Sequence, residues 1–480
     1  MPEITPSYLR SRWLALSVLC VGTLMVILDG TIVAVALPTI QTELGFTQST
    51  LAWVVNAYLI AFAGLLLLSG RLGDLIGRKR VLLTGLVIFT VASLLCGLAG
   101  SQELLVIFRF AQGVGGALSS AVVLGMIVTL FPEPREQAKA IGIYSFVQAG
   151  GASLGLIAGG VLTQSLNWHW AFFINIPIGL AAVSLAWRLF ETDRGLGLRE
   201  GADIAGAVLV TSGLMLLVYT IVKAEEYTWG DARTLGLLAL SLVLLASFVV
   251  RQAKASKPLL PLHIFRTRSV SGANVIMVLM VAGMFGFQFM TALYLQRVLG
   301  LGSLQTGLAF LPAPVLIALV SLGLAARLNL RFGPRKVLGT SLGLVAVALG
   351  LLARVPVDGF YAVDVLPILI LLGAAFGAAM PALMGQAMSA ATPSDSGIAS
   401  GLINTTQQIG AAIGTAVLAT VAASRTEALL DKGDSIASAL TGGFHVAYGF
   451  SAGFVVAAMV VAVVVLRRPN AELSVPVLSA

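Results

Sequence analysis

The sequence predicts an all-α membrane protein of fourteen crossing helices, built as two six-helix bundles with two helices inserted between them. Composition is the first observation: of 480 residues, 58% are hydrophobic and 10% charged, with mean hydropathy +0.98, whereas soluble globular chains carry about 25% charged residues. Second, the apolar residues fall into runs of about 20, the length that carries a helix across a bilayer. Third, one stretch recurs. Gly70–Leu82 aligns with Ala326–Leu338, pairing Arg71 with Arg327, Leu72 with Leu328, Gly77 with Gly333, Val81 with Val337 and Leu82 with Leu338. An internal repeat of this kind marks two related halves.

Taken in order, the spans are 13–36, 50–69, 81–100, 103–130, 138–164, 171–190, 203–222, 233–251, 270–296, 304–328, 336–354, 361–388, 397–423 and 444–466. The first run follows Arg10 and Arg12 as a secretory signal would, but it is longer than a signal's apolar core and lacks a small-residue cleavage site, so it is read as a retained helix. The repeated stretch follows the second span of each half when the halves begin at spans 1 and 9. That assigns residues 1–198 to an N-terminal bundle, 199–258 to two inserted helices and 259–480 to a C-terminal bundle. Pro312, Pro314 and Pro381 mark expected bends in spans 10 and 12.

Most of the 29 Lys and Arg residues fall in alternate short loops, on the same side as both chain ends. By the positive-inside rule both termini are cytoplasmic, in a multi-pass protein of the cell membrane. The sequence pI of about 9.7 therefore reports orientation rather than a nucleic-acid partner. Cys20 and Cys96 both lie in apolar runs and imply no disulfide framework. His169, His263 and His445 are scattered without metal-ligand spacing, and no glycine-rich loop ending in Gly-Lys-Ser/Thr is present. Neither an intramembrane enzyme nor an ATP-driven pump is expected from this chain, and no cofactor or metal.

Two charges lie well inside spans, away from their ends. Asp29 is the only charge in its run, and a carboxylate at the centre of a spanning helix costs about 2.5–3.5 kcal/mol even on the lenient insertion scale. Helical rise sets Asp29 about 13 Å, and Arg109 about 9 Å, from the same side. Opposite charges at a shared depth are expected to pair, and buried charges of this kind handle ions or protons. A structural carboxylate that only orders helix packing is the plainer alternative. A purely structural membrane protein, however, needs neither charge.

At this point several separated motifs coincide. Leu28-Asp29-Gly30-Thr31 through Pro38, the Gly70–Leu82 stretch, Arg109 through Gln112-Gly113 and Gly115-Gly116, Trp168-His169-Trp170 through Asn175 and Pro177, and Gly401 through Asn404, Gln407-Gln408 and Gly410 occur in this order. Together they resemble the fourteen-helix drug/proton antiporters of the major facilitator superfamily, the EmrB/QacA type. The resemblance implies proton-driven efflux of drug-like small molecules and a proton-relay role for Asp29 and Arg109. The glycines of span 5 (Gly151, Gly155, Gly159 and Gly160) have the spacing of that family's antiporter motif, with Leu156 where the motif has proline. An exporter or symporter of one metabolite, antibiotic or siderophore is the alternative within the same architecture.

Three further groups carry expectations of their own. In Gly70, Arg71, Gly73, Asp74, Gly77, Arg78 and Lys79, glycines permit a tight turn while one acid sits among bases; such a network can latch one half to the other in one conformation. A solvated basic loop explains the bases but not Asp74 or the glycines. The glycine faces, including Gly401 and Gly410, are expected to pack helices within a monomer. Tyr58, Gln112, Tyr144, Gln148, Phe285, Phe289, Asn404, Gln407 and Gln408, with Phe146 and Tyr294 as further aromatics, are expected to line a substrate cavity. With Asp29 the only deep carboxylate, monovalent cations and neutral amphiphiles are expected to be handled better than divalent cations.

Overall fold

The computed structural model describes residues 6–465 apart from 47, 192, 194, 198–202, 228–229, 256–257, 259, 261, 267 and 389–395. Among these, thirteen helices are long and apolar enough to cross a membrane. They are α1 (Pro6–Leu44), α2 (Gln48–Ile76), α3 (Arg78–Gly97), α4 (Gln102–Leu130), α6 (Trp170–Leu189), α7 (Ile204–Tyr227), α8 (Ala232–Lys254), α9 (Arg268–Val298), α10 (Gln305–Phe332), α11 (Pro334–Leu352), α12 (Tyr361–Met388), α13 (Ser396–Leu430) and α14 (Ile436–Val465). The 32-residue α5 (Pro134–Ser165) completes the set of fourteen. An even number of such helices brings Pro6 and Val465 to the same end of the bundle, the basic end.

The two halves pack alike. In the first, α1 lies on α5 and α6, and α3 on α4; in the second, α9 lies on α13 and α14, and α11 on α12. Between the halves α13 meets α2 and α4, and α5 meets α10 and α12. The inserted α7 and α8 pack on each other, and α7 packs on α2. Without a hydrophobic force between helices in lipid, close packing of small residues supplies much of the association. The glycine face of α5 shows how: Gly151 meets Leu24 and Ile27, Gly155 meets Leu28 and Thr31, and Gly159 meets Ile32 and Val35, all on α1. The second half repeats this, with Gly410 and Gly414 of α13 against Val278 and Ala282 of α9. For Gly160 only the helical backbone is described. The segment bearing Leu156 is part of one uninterrupted helix.

Several boundaries differ from the sequence expectation. The stretch beginning at Gly70 is no open loop: α2 continues through Gly70, Arg71, Gly73 and Asp74 to Ile76. Arg71 and Asp74 are 6% and 4% exposed, so polarity there reflects buried contacts rather than a solvated turn. The turn itself is confined to Gly77, whose φ of 101° suits glycine alone, and Gly333 repeats it at 81°. Next, α1 runs through Pro38 to Leu44, and α14 begins at Ile436, where the Thr441 hydroxyl donates to the Ala437 carbonyl inside the helix. The expected bend at Pro312 is a break in α10 between Phe310 and Pro312, followed by a π-helical turn at Val320–Leu324. Pro381 lies inside α12.

Candidate proton-coupling site and the contacts between the halves

Asp29 faces the interior of the first bundle and is fully buried, as is Arg109. Arg109 Nη1 donates to Asp29 Oδ2 at 2.5 Å, and Arg109 Nε donates to the Val54 carbonyl at 2.9 Å. The guanidinium stacks over the Tyr58 ring, 4.4 Å from its centroid, with Phe172 on another side at 5.8 Å. Gln112, one helical turn beyond Arg109, accepts from Arg109 Nη1 at 2.7 Å and donates to Asp29 Oδ1 at 2.7 Å. Asn175 of α6 donates to the same Oδ1 at 3.0 Å and to Ser93 Oγ at 2.9 Å. Ser93 also accepts from Gln112 at 3.2 Å and donates to the Phe172 carbonyl at 2.9 Å. Two helices thus bond the Asp29 carboxylate directly, α4 through Arg109 and Gln112 and α6 through Asn175, while α2 and α3 hold those groups through the Val54 carbonyl and Ser93.

This arrangement satisfies the ionised carboxylate with three donors, which is what a charge buried in low dielectric requires. A small displacement of one helix against another changes the distance between Asp29 and Arg109 and with it the strength of their attraction. The carboxylate is enclosed on every side by protein.

The second cluster lies at the basic end. Asp74 accepts from the backbone N–H groups of Gly397 and Ile398 in the first turn of α13, both at 2.9 Å, and pairs with Arg78 Nη2 at 3.1 Å. Carboxylates at helix N-termini are favoured by the exposed N–H groups and the dipole. Gly70 lies against Gly397 and Gly401, so both sides of the α2–α13 crossing need glycine. Asp193, after α6, accepts from Arg78 N at 2.7 Å and Lys79 N at 3.3 Å and so caps α3. Lys79 Nζ donates to the Trp187 and Phe190 carbonyls at 2.8 and 2.5 Å. Gly73 packs on Val122. Arg71 is buried, and its Nε has no partner among the described residues. The second copy of the repeat has Leu330 where the first has Asp74, so only one copy carries the acid.

The residues expected to line a cavity separate into three groups. Gln148 and Gln407 meet across the halves, with Gln407 Nε2 donating to Gln148 Oε1 at 3.2 Å, and Gln148 Nε2 donating to the Tyr144 hydroxyl at 2.5 Å. Asn404 also crosses, donating to the Ser120 carbonyl at 3.3 Å. Gln408 is half-buried beside them on α13. Others are placed elsewhere: Gln112 and Tyr58 belong to the Asp29 cluster, where ion-pair satisfaction holds them, and Tyr294 is fully buried, donating to the Pro356 carbonyl at 2.7 Å. Phe285 is 46% exposed on α9. The side chain of Phe289 lies outside the described residues. Ser93, Asn175 and Asp193 were not assigned roles from sequence. Asn175 stands within a quoted motif, but an uncharged polar residue in a span gives no sign of its partner until the helices are assembled.

Two pseudo-symmetric bundles, a buried charge pair in one of them and amides meeting between them define a secondary-transporter architecture. The chain belongs to the major facilitator superfamily, whose family model matches residues 19–415. It is similar to the puromycin resistance protein pur8 of Streptomyces alboniger, at 38% identity over 95% of this chain and 91% of that one. It is also similar to the tetracenomycin C resistance and export protein of Streptomyces glaucescens (36%; 87% and 78%) and the cephamycin export protein CmcT of Amycolatopsis lactamdurans (36%; 86% and 85%). Among solved structures, the human organic anion transporter MFSD10 superposes with a TM-score of 0.66 at 16% identity, covering 95% of this chain and 100% of that one. The proton:xylose symporter XylE superposes at 0.63 and 16%, covering 95% of each. These two likenesses concern the fold.

Proposed function

We propose that the protein is a proton-driven exporter of drug-like small molecules, working by alternating access between its two six-helix halves. The single observation that carries the proton part is the Asp29–Arg109 pair, fully buried and satisfied by Gln112 and Asn175. Export is supported by the relatives named for antibiotic resistance and export. Protonation of Asp29 weakens its hold on Arg109 and lets α1 and α4 shift against each other; Gly155 sets α1 directly on α5, which meets α10 and α12 of the other half. The Asp74 latch then biases which end of the molecule is closed. The amides Gln148, Asn404 and Gln407, with Tyr144 and Gln408, form the uncharged lining offered to a ligand between the halves.

In this reading the protein acts as a monomer in the cell membrane, with its basic end and both termini in the cytoplasm, and with protons and bilayer lipid as its other partners. The segments 1–198, 199–258 and 259–480 serve as first bundle, inserted pair and second bundle. A second reading, export of one antibiotic rather than many, is favoured by the relatives being named for single compounds. The test is growth of cells with and without the protein against a panel of toxic amphiphiles, with accumulation measured with and without an uncoupler. The proposal expects uncoupler-sensitive protection. Protection that survives collapse of the proton gradient contradicts it. Protection against one chemical class alone supports the second reading.

A further inference from the structure

We infer that Asn175 is the hydrogen-bond switch of the proton site, turning its side-chain amide when Asp29 takes up a proton. The inference deepens the proton-coupling reading and rests on it. Asn175 is fully buried, and its Nδ2 donates to both Asp29 Oδ1 and Ser93 Oγ. Its Oδ1 is buried and has no hydrogen-bond partner among the described residues. An unpaired buried acceptor costs free energy, so it calls for an explanation in this site above all others.

The explanation follows from counting donors and acceptors at Asp29. As an anion, Asp29 Oδ1 accepts from the Gln112 and Asn175 amides, while Oδ2 accepts from Arg109. When a hydrated proton from the aqueous side adds to Oδ1, an O–H bond forms, water is released, and this oxygen becomes a donor as well as an acceptor. It then needs an acceptor where it had two donors. Gln112 cannot supply one, because its Oε1 already accepts from Arg109 Nη1 and Cys96 Sγ, and turning it would set its NH2 against the guanidinium. Asn175 has no such lock. A half-turn of its amide brings the unpaired Oδ1 to the place of Nδ2, 3.0 Å from Asp29 and 2.9 Å from Ser93. Ser93 keeps the bond it accepts from Gln112, and its single hydroxyl hydrogen turns from the Phe172 carbonyl to the arriving Oδ1, because two oxygens 2.9 Å apart need a proton between them. The other titratable or charged groups around Asp29 are Arg109 from α4, Tyr58 from α2 and Cys96 from α3; α6 brings uncharged Asn175 and Phe172, and α5 brings glycine. Asn175 is therefore a positioning residue for the proton, with one face for each protonation state.

The experiment is infrared difference spectroscopy of the full-length protein in lipid, stepped from alkaline to acid pH, with and without 13C-labelled asparagine. The carboxyl band of Asp29 is identified by its loss in Asp29→Asn, and the amide band of Asn175 by its loss in Asn175→Ser. The expected result is that both bands change with the same pH midpoint. Asn175→Leu, which keeps the branched four-atom shape without the amide, is expected to lower proton-driven exchange by at least about tenfold, the loss of one hydrogen bond to a charged partner. Asn175→Ser, which can both donate and accept, is expected to recover part of it, and ligand affinity at fixed pH should stay within about twofold in both. An Asp29 band that titrates while the Asn175 amide stays unchanged overturns the switch and leaves proton coupling standing. Absence of any titrating Asp29 band overturns both.

Discussion

Asp74, in the last turn of α2, holds the backbone N–H of Ile398 in the first turn of α13 at 2.9 Å, so that one half of the molecule caps a helix of the other. In the proposed cycle this contact breaks when the basic end opens. Asp74→Ala removes a helix-terminal charge, which contributes about 0.3–1 kcal/mol when exposed and up to about 2 kcal/mol when partly buried. A shift of about 1.4 kcal/mol changes a two-state population tenfold. Spin-label distances across the basic end should lengthen in this variant, and turnover should slow, while ligand affinity changes less than about twofold. Affinity falling in step with turnover would show that Asp74 acts on the ligand instead.

Gly155 is the tightest point of the α1–α5 crossing, because an added Cβ would overlap the Thr31 side chain. Thr31 cannot easily turn away, since its hydroxyl donates to the Ile27 and Leu28 carbonyls at 3.1 Å. Overpacking of this kind costs about 1–3 kcal/mol. Gly155→Ala should lower the thermal midpoint and reduce transport, since Leu28 and Thr31 flank Asp29. Gly449, with open space around it, is the control, and its alanine variant should behave as the parent.

Asp203 lies outside the spans, at the start of the inserted pair. Burial pushes its carboxyl up, but hydrogen bonds from the Gly206 N–H, Arg251 Nε and Gln252 Nε2 outweigh this and hold it below the ordinary carboxylate range. A depressed folded-state value stabilises the fold above the unfolded value of about 3.9 and loses that contribution as pH falls through the folded value. Asp203→Asn should therefore cost about 1.5–3 kcal/mol near neutral pH, the range for hydrogen bonds to charged groups. The difference from the parent should vanish in acid. A difference independent of pH would assign the effect to packing.

Around Gln148 and Gln407, the described polar groups where the halves meet are amides and a phenol, and the Asp29 carboxylate is enclosed elsewhere. Each positive charge on a ligand finds no carboxylate there and costs several kcal/mol unless water follows it, so a divalent ligand bears that cost twice. Neutral and monovalent amphiphiles should therefore be exported faster than divalent analogues of similar size. Exchange of one proton for one monovalent cation moves no net charge, so it should also be nearly insensitive to a potential worth about 2.3 kcal/mol per charge per 100 mV. Equal rates for matched monovalent and divalent compounds would contradict this account of selectivity.

The architecture is legible in the sequence because span length, loop charge and the repeated stretch each report directly on bilayer physics. Asp29 and Arg109 are conspicuous as charges in apolar runs, and helical rise alone gives them a common depth. The rest of their cluster is not legible. Gln112, Ser93 and Asn175 are uncharged, so their cost in a span is small, and which carboxylate they meet depends on how α3, α4 and α6 are rotated. The boundary at Gly70 was misplaced for a related reason: the polar residues Arg71 and Asp74 look like a loop until the helix that buries them, α13, is in place. Spacing shows that the α5 glycines form a face, but only assembly shows that α1 covers it.

The measurement that bears most directly on proton coupling is drug-driven proton flux in proteoliposomes, comparing the parent with Asp29→Asn. Asparagine keeps the size and can still accept from Arg109, so folding and ligand binding should persist, each checked independently. The account expects the parent to move protons against the drug and the variant to move none above background, with drug uptake no longer responding to a pH gradient. Undiminished, gradient-driven exchange by Asp29→Asn would contradict it.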